Sequence, residues 1–226
     1  MDYSHVLVLI AAKDEEEGIG PTLLELKKTL DESAFLVVDG NSTDRTAEIA
    51  RALGAEVLIQ KGKGKGNAIG QAIMHVKAGV KYVVFVDADF TYPSRYLPKM
   101  IRILEENPRV GMVCGNRFND ELDLGKLHDI LYFGNRLIAF THNMLNGVEL
   151  KDPLTGLRVV RREILKDWKP NSTGFDIEVE LNHQVERKGY GIMEIPIEYR
   201  PRLGEKKLKL RDGLTILRRI AAESLS

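Results

Sequence analysis

Two aspartates, Asp87 and Asp89, stand at i, i+2 directly after an uninterrupted apolar run, Tyr82-Val83-Val84-Phe85-Val86. Such a run of β-branched and aromatic residues suits a strand buried on both faces of a parallel sheet. Ligands of open α/β sheets bind beyond the carboxyl ends of these strands, so the pair falls where a ligand is expected. Two carboxylates in a low-dielectric cleft repel unless a cation lies between them. A site with few carboxylates, completed by phosphate oxygens, suits Mg²⁺ or Mn²⁺. The chemistry this predicts is a metal holding a phosphorylated substrate; the plainer alternative is a solvated Asp pair in a turn. Asp39 closes another apolar run, Phe35-Leu36-Val37-Val38, and reaches the same sheet edge. There it either accepts hydrogen bonds from a ribose or base, or forms an Asx-turn or N-cap before a helix at Thr43.

The glycine-rich stretch Lys61-Gly62-Lys63-Gly64-Lys65-Gly66-Asn67 has neither P-loop spacing nor G-x-G-x-x-G, because Asn67 stands where the third glycine belongs. A dinucleotide fingerprint would follow the first strand, where this chain has Ala11-Ala12-Lys13-Asp14. Hydride transfer is therefore disfavoured. The histidines, His5, His75, His128, His142 and His183, fall in no motif.

Positioning these residues requires alternating strands and helices. Over the first two thirds of the chain, short apolar runs alternate with helical patterns, the signature of βαβ units and a mostly parallel sheet with helices on both faces. Strands are expected at residues 5–11, 35–38, 56–59, 82–86 and 110–114. The first helix has acids at Glu15 to Glu17 near its N-terminus and carries Leu23, Leu24, Leu26 and Leu30. A second runs through Ala47, Ile49, Ala50 and Leu53 with Gly54 as its C-cap, an alanine-rich helix follows Gly66, and another has Pro93 near its start. Between Leu127 and Leu145 apolar residues recur at helical spacing, interrupted by Arg136. This is either a core helix or one lying in a membrane interface. Late strands at 157–160 and 192–197 flank a helix at 176–188, and a helix at 211–226 places Leu214, Leu217, Ile220 and Ala221 on one face with Arg218 and Arg219 off it.

The chain's 226 residues fit one large domain, and 29% charged with 43% hydrophobic residues is ordinary globular usage. With 33 basic and 33 acidic residues the net charge is zero, so nothing global argues for nucleic acid and anion binding must come from local clusters. The single cysteine, Cys114, follows Val110-Gly111-Met112-Val113 and reads as a buried strand thiol. No basic n-region precedes the first apolar run and no window reaches membrane-spanning length, so a cytosolic start and no membrane span are expected.

Several short motifs, in order along nearly the whole chain, resemble glycosyltransferase family 2 and, within it, the dolichyl-phosphate mannose or glucose synthases. Ala11-Ala12-Lys13-Asp14-Glu15 is similar to the P-A-[YL]-N-E opening, Val38-Asp39-Gly40-Asn41-Ser42-Thr43-Asp44 to V-D-D-x-S-x-D, and Gly64-Lys65-Gly66-Asn67-Ala68 to G-K-G-x-A. Asp87-Ala88-Asp89 looks like the D-A-D metal motif and Gly115-Asn116-Arg117 like G-S-R. Asp152-Pro153-Leu154-Thr155-Gly156-Leu157-Arg158 resembles D-x-x-S-G-F-R, and the stretch from Tyr199 to Leu208 resembles Y-x-x-R-x-G-x-S-K-L. The chain departs from the family at Gly40, where a second acid is usual, at Thr91, where some relatives place a metal-binding Gln, and at Lys206, which replaces a Ser.

The resemblance implies a GT-A (Rossmann-like) α/β fold in a single domain over 1–226, with a nucleotide-sugar part at 1–115, an acceptor part at 116–210 and a C-terminal amphipathic helix at 211–226. It implies inverting transfer of a hexose from GDP-mannose or UDP-glucose to a polyprenyl (dolichyl) phosphate, with Mg²⁺ or Mn²⁺. Family positions place the nucleotide sugar on Ala11, Lys13, Glu15, Asp39, Gly64, Lys65, Gly66, Asp87 and Ala88. The metal falls to Asp87, Asp89 and Thr91, and the acceptor phosphate to Arg117, Arg136, Arg202 and Lys207, with Asp89, Arg117 and Arg202 catalytic. An acceptor that is already an anionic phosphate needs no strong base. The chain would then work at the cytoplasmic face of a membrane, held peripherally or by a partner. Two alternatives remain at this point: a soluble or polysaccharide acceptor, with Asp176 or Glu178 as base, and a non-catalytic nucleotide-binding subunit.

Overall fold

The computed structural model describes residues 2–118, 139–141, 143–144, 149–205, 207 and 210–224. Its strands are β1 (Val6–Ala12), β2 (Ala34–Asp39), β3 (Glu56–Ile59), β4 (Tyr82–Phe85), β5 (Val110–Asn116), β6 (Arg158–Arg161) and β7 (Gly191–Pro196). They form one sheet in the order β3-β2-β1-β4-β6-β5-β7. β1 pairs in parallel with β2 and β4, while β6 runs antiparallel to both β4 and β5. Helices are α1 (Glu16–Thr29), α2 (Thr46–Ala52), α3 (Lys65–Ile73), α4 (Leu97–Glu106), the single turn α5 (Arg162–Leu165), α6 (Ile177–Arg187) and α7 (Leu210–Glu223).

Successive side chains of a strand point to opposite faces, so a strand covered on both sides must be apolar throughout. β1 obeys this. Val6, Val8 and Ile10 join a core with Leu23 and Leu26 of α1 and Met100 and Leu104 of α4, whereas Leu7 and Leu9 join Ile69 and Ile73 of α3 and Leu181 of α6. The strand order turns back between β1 and β4, because β2 and β3 extend one way and the later strands the other. A crevice therefore opens beyond the carboxyl ends of β1 and β4. The loops that leave those ends are Lys13 to Glu15 and Asp87 to Asp89.

The expected strand at 157–160 is present as β6; it lies antiparallel inside the sheet, next to β4, because the chain returns to fill the gap between β4 and β5. Other expectations need correction. Leu24 of α1 is exposed, on the face turned from the sheet. Pro93 caps a 3-10 turn (Ser94–Tyr96), and α4 begins only after it. On α7 the buried positions are Ile216 and Ile220, packed on Val179 of α6; Leu214 and Ala221 are exposed. Arg219 explains the rotated face, since it turns inward to carboxylates of α6 and its preceding loop. Most of the apolar stretch from Leu127 to Leu145 lies outside the described residues; Phe140 and Met144, which are described, are exposed. Among the described residues no helix is long and apolar enough to cross a membrane.

Candidate active site

β4 ends at Phe85, and the next residues carry the two carboxylates into the crevice. The turn is tight. Phe90 takes φ +64°, a conformation a bulky residue adopts only when its surroundings impose it. Those surroundings come from the 197–204 segment: Arg200 N–H donates to Thr91 O at 2.9 Å, Leu203 N–H to Asp89 O at 3.0 Å, and the Arg200 guanidinium lies 4.4 Å from the Phe90 ring centre. From below, α1 approaches so closely that a Cβ on Gly18 would meet Ala88 O at 2.5 Å and Asp89 Cα at 2.7 Å. Ala88 is buried, and its carbonyl accepts the Thr22 hydroxyl. Thr91 sits fully buried behind Asp89 and donates its hydroxyl to Asp89 Oδ1 at 2.6 Å.

Each carboxylate meets a basic side chain from elsewhere. Lys65 Nζ lies 2.6 Å from Asp87 Oδ1 and 2.7 Å from Glu178 Oε1 of α6. Arg202 grips Glu15 with Nη2, 2.5 Å and 2.7 Å from its two oxygens, and reaches Asp89 Oδ2 at 3.3 Å with Nη1. Lys207 Nζ donates to Asp14 O at 2.9 Å. The glycines beside Lys65 serve close approach. Gly64 has φ +89°, a Cβ on it would run into Thr173 O, and one on Gly66 would meet Ser172 O at 2.5 Å. The first amides of α3 are already engaged, Gly66 N–H with Gly174 O and Asn67 N–H with Thr173 O. Lys65 is thus the part of this motif that faces the strand end.

Asp39 is buried at the end of β2; Oδ2 accepts Ser42 N–H at 3.1 Å, and Oδ1 has no partner. A buried acceptor without a donor is costly, so this oxygen is suited to a ligand hydroxyl or N–H. The bond from Ser42 N–H matches the reading of Asp39 as a turn former, and Oδ1 is left open. Lys13 is exposed over Gly40 O, and Ala11 lines the small cavity that also touches Lys65 and Asp87.

Arg117, just past β5, forms a two-pronged pair with Asp152: Nε to Oδ2 at 2.6 Å and Nη2 to Oδ1 at 2.7 Å. Its guanidinium lies 5.3 Å from the Tyr199 ring centre, and Tyr199 packs edge-on against Tyr92. Arg158, the arginine of the same motif as Asp152, is fully buried in β6 and donates to the carbonyls of Thr155 (2.8 Å) and Pro153 (2.6 Å) and to Asn182 Oδ1 (2.5 Å). It braces the loop that presents Gly156 to Asp87. Arg136 lies outside the described residues.

These charges push the two aspartates apart. Burial raises the Asp87 carboxyl, but Lys65, Arg117 and Arg202 outweigh it and hold it below its ordinary value. Asp89 moves up, through burial and then the Asp87 charge, despite its bonds to Thr91 and Arg202. Burial likewise raises Glu15 against the pull of Arg202. Lys65 goes the other way: burial opposes its charge, yet Asp87 and Glu178 hold its ammonium above the usual value. Carboxylates kept close in one site with opposed shifts mark functional positions. Among the described residues no group of three or more His, Cys, Asp or Glu converges as a metal cage. Two hard carboxylates fit Mg²⁺ or Mn²⁺, and at this strand end they already pair with the cations of Lys65 and Arg202. Sequence reasoning quoted Asp152 and Gly156 as motif residues without a place in the site, and missed Gly18 and Glu178 as the partner of Lys65. What the two glycines make room for comes from distant segments, so no local spacing shows it.

The family model of glycosyl transferase family 2 matches residues 7–169. A dolichyl-phosphate hexose transferase of Haloferax volcanii is 35% identical over 208 residues, 91% of this chain and 87% of that protein. The dolichol-phosphate mannosyltransferase of Pyrococcus furiosus is 26% identical over 95% of this chain, which spans 62% of that longer protein. Glucosyl-3-phosphoglycerate synthase from Mycobacterium tuberculosis, solved with Mn²⁺, uridine diphosphate and glucosyl-3-phosphoglycerate, superposes with a TM-score of 0.73 at 22% identity, covering 97% of this chain and 78% of that one, and so shares the GT-A fold. With a match that runs from β1 past β6, and about a third of its residues shared with one such transferase, the chain belongs to glycosyl transferase family 2 and is a glycosyltransferase.

Proposed function

We propose that this glycosyltransferase moves a hexose, with inversion, from GDP-mannose or UDP-glucose to a polyprenyl phosphate at the cytoplasmic face of a membrane, held there peripherally or by a partner. One observation carries the choice of acceptor. Asp87, Glu178, Asp152 and Asp176 each hold a basic side chain within 2.9 Å, so each carboxylate is already engaged in an ion pair that an incoming hydroxyl would have to displace. A sugar hydroxyl needs a base; a phosphate monoester oxygen, already ionised, does not. Asp176 and Glu178, the alternative bases, are tied to Arg219 and Lys65. The name of the Haloferax relative supports the same acceptor class.

In this reading Asp87 and Asp89 hold the divalent cation, with Thr91 orienting Asp89. A divalent cation held by these two carboxylates would supply neutralisation of charge on the departing nucleoside diphosphate, an effect worth several kcal/mol. Ala11, Lys13, Glu15, Asp39, Ala88 and the segment from Gly64 to Gly66 line the donor side, with the open Asp39 oxygen taking a ribose or base donor. Arg117 and Arg202, joined by Arg136 and Lys207, place the acceptor phosphate. Its oxygen attacks the anomeric carbon as the bond to the diphosphate breaks, and the electron pair leaves with the nucleotide.

Incubation with radiolabelled GDP-mannose or UDP-glucose, polyprenyl phosphate and Mn²⁺ or Mg²⁺ should give a chloroform-soluble labelled product. Asp89→Ala should abolish it. Transfer only to water-soluble acceptors would overturn the lipid acceptor, and full activity of Asp89→Ala would remove the metal role.

A further inference from the structure

We infer that Arg219 of α7 is a positioning residue for the donor side of the site, acting through the backbone at 172–174 on Lys65 and Asp87. The inference rests on the reading of Asp87 as a cation ligand. Three carboxylates lie within or next to the first turn of α6, and all are buried: Asp176, Glu178 and Glu180 are 3%, 7% and 1% exposed. Buried charge needs compensation from opposite charge and hydrogen bonds. Glu178 has Lys65. Asp176 has Arg219 Nε at 2.9 Å, the Ser172 hydroxyl at 2.6 Å and Gly174 N–H at 3.2 Å. Glu180 accepts the N–H groups of Asn171 and Ser172 at 2.8 and 2.7 Å, with Arg219 Nη1 at 4.0 Å. Arg219 thus meets both acids that fasten the 171–174 segment.

The opposite side of that segment is the seat of α3. Gly174 O accepts Gly66 N–H at 3.0 Å and Thr173 O accepts Asn67 N–H at 3.4 Å. The contact is close enough that no side chain fits on Gly64 or Gly66. Lys65 lies between these glycines and carries the register of the helix start to Asp87. Without Arg219, two buried carboxylates lose their shared cation and the segment they fasten loses its fixed position. The placement of Lys65 against Asp87 then slackens. Arg219 Nη1 also meets Glu223 at 3.4 Å, and Glu223 pairs with Arg187 at 2.7 Å, so Arg187 belongs to the same network. Arg161 supplies a control outside it: opposite Tyr82 at the start of β4, it donates to Val110 O at 2.7 Å and Asn107 O at 3.2 Å and makes no contact with 171–174 among the described bonds.

The test titrates Mn²⁺ with UDP or GDP into the full chain by calorimetry and follows amide exchange at Gly66 and Asn67. Arg219→Ala should weaken metal–nucleotide binding by about tenfold, in the range usual for coupling through packed elements, and speed exchange at both amides. Arg219→Lys should recover most of the affinity. Arg161→Met should lower Tm yet keep binding within about twofold of the parent, as sites with no shared partners do. Should Arg219→Ala not fold, Ser172→Ala, which removes one fastening bond and no charge, must shift binding and exchange in the same direction. Unchanged binding in the Arg219→Ala and Ser172→Ala variants, or an equal loss in Arg161→Met, overturns the inference alone. Failure of the parent protein to bind Mn²⁺ with either nucleotide overturns the reading of Asp87 and the inference with it.

Discussion

Gly156→Ala isolates the placement of one carboxylate. A Cβ at Gly156 would run into Asp87 Oδ2 and stand 2.7 Å from Cγ and 3.0 Å from Oδ1. The loop cannot yield easily, because Gly156 N–H donates to the Tyr92 hydroxyl at 2.8 Å and Arg158 holds the carbonyls of Pro153 and Thr155 just before it. The carboxylate must give way. To reach an ordinary contact of about 3.4 Å its carbon retreats by about 0.7 Å, which distorts the 2.6 Å bond to Lys65. Misplacement of about 1 Å at a reacting centre costs on the order of 10²-fold in rate, so kcat/KM should fall by roughly 30- to 100-fold. Overpacking costs about 1–3 kcal/mol, so Tm should fall by only a few degrees. Initial rates against donor and Mn²⁺ concentration, alongside thermal melts, separate the two effects. Rates within about threefold of the parent, with an unchanged Mn²⁺ requirement, would refute the argument that Gly156 sets the Asp87 position.

Arg158→Met leaves buried carbonyls and Asn182 without their donor and should cost about 2–4 kcal/mol, read as a Tm lower by roughly 5–15 °C. Glu25 holds Arg200 at 2.7 Å and accepts Ser94 N–H at 2.6 Å. Burial alone would raise its carboxyl, but these partners lower it from 4.5. A depressed carboxyl contributes stability that is present above its unfolded value and lost as pH falls through the folded one. The parent's Tm should therefore decline below about pH 4.5, and Glu25→Gln should start lower at neutral pH with a shallower acid slope. The Cys114 thiol is pushed up to about 12 by burial, so a disulfide reagent at mildly alkaline pH should leave the native chain unlabelled and react fully after denaturation.

Where the strands lie was readable because each is an apolar run closed by a polar or glycine turn, and the observed ends differ from the expected ones by at most two residues. Asp87, Asp89 and Asp39 were legible for the same reason. A carboxylate after such a run has nowhere to go but the sheet edge. The partners of these acids were not legible. Lys65 reaches Asp87 across 22 residues and Arg202 reaches Glu15 across 187, and no periodicity links such positions. Thr91 is a related case: it keeps the expected place beside Asp89, but its hydroxyl is turned to that carboxylate inside the core.

By itself, then, the sequence determined the alternating βα pattern, the loops at which ligands gather and the chemical character of the residues there, since each depends on short-range spacing and on burial of apolar runs. Only the tertiary structure decided that β6 returns antiparallel beside β4, that Gly18 and Gly156 make room for the Asp87–Asp89 turn, and that Arg219 of the last helix secures the seat of Lys65. Those outcomes depend on which segments meet once the core closes, and that is decided by packing and by the need to compensate buried charge rather than by any local run of residues.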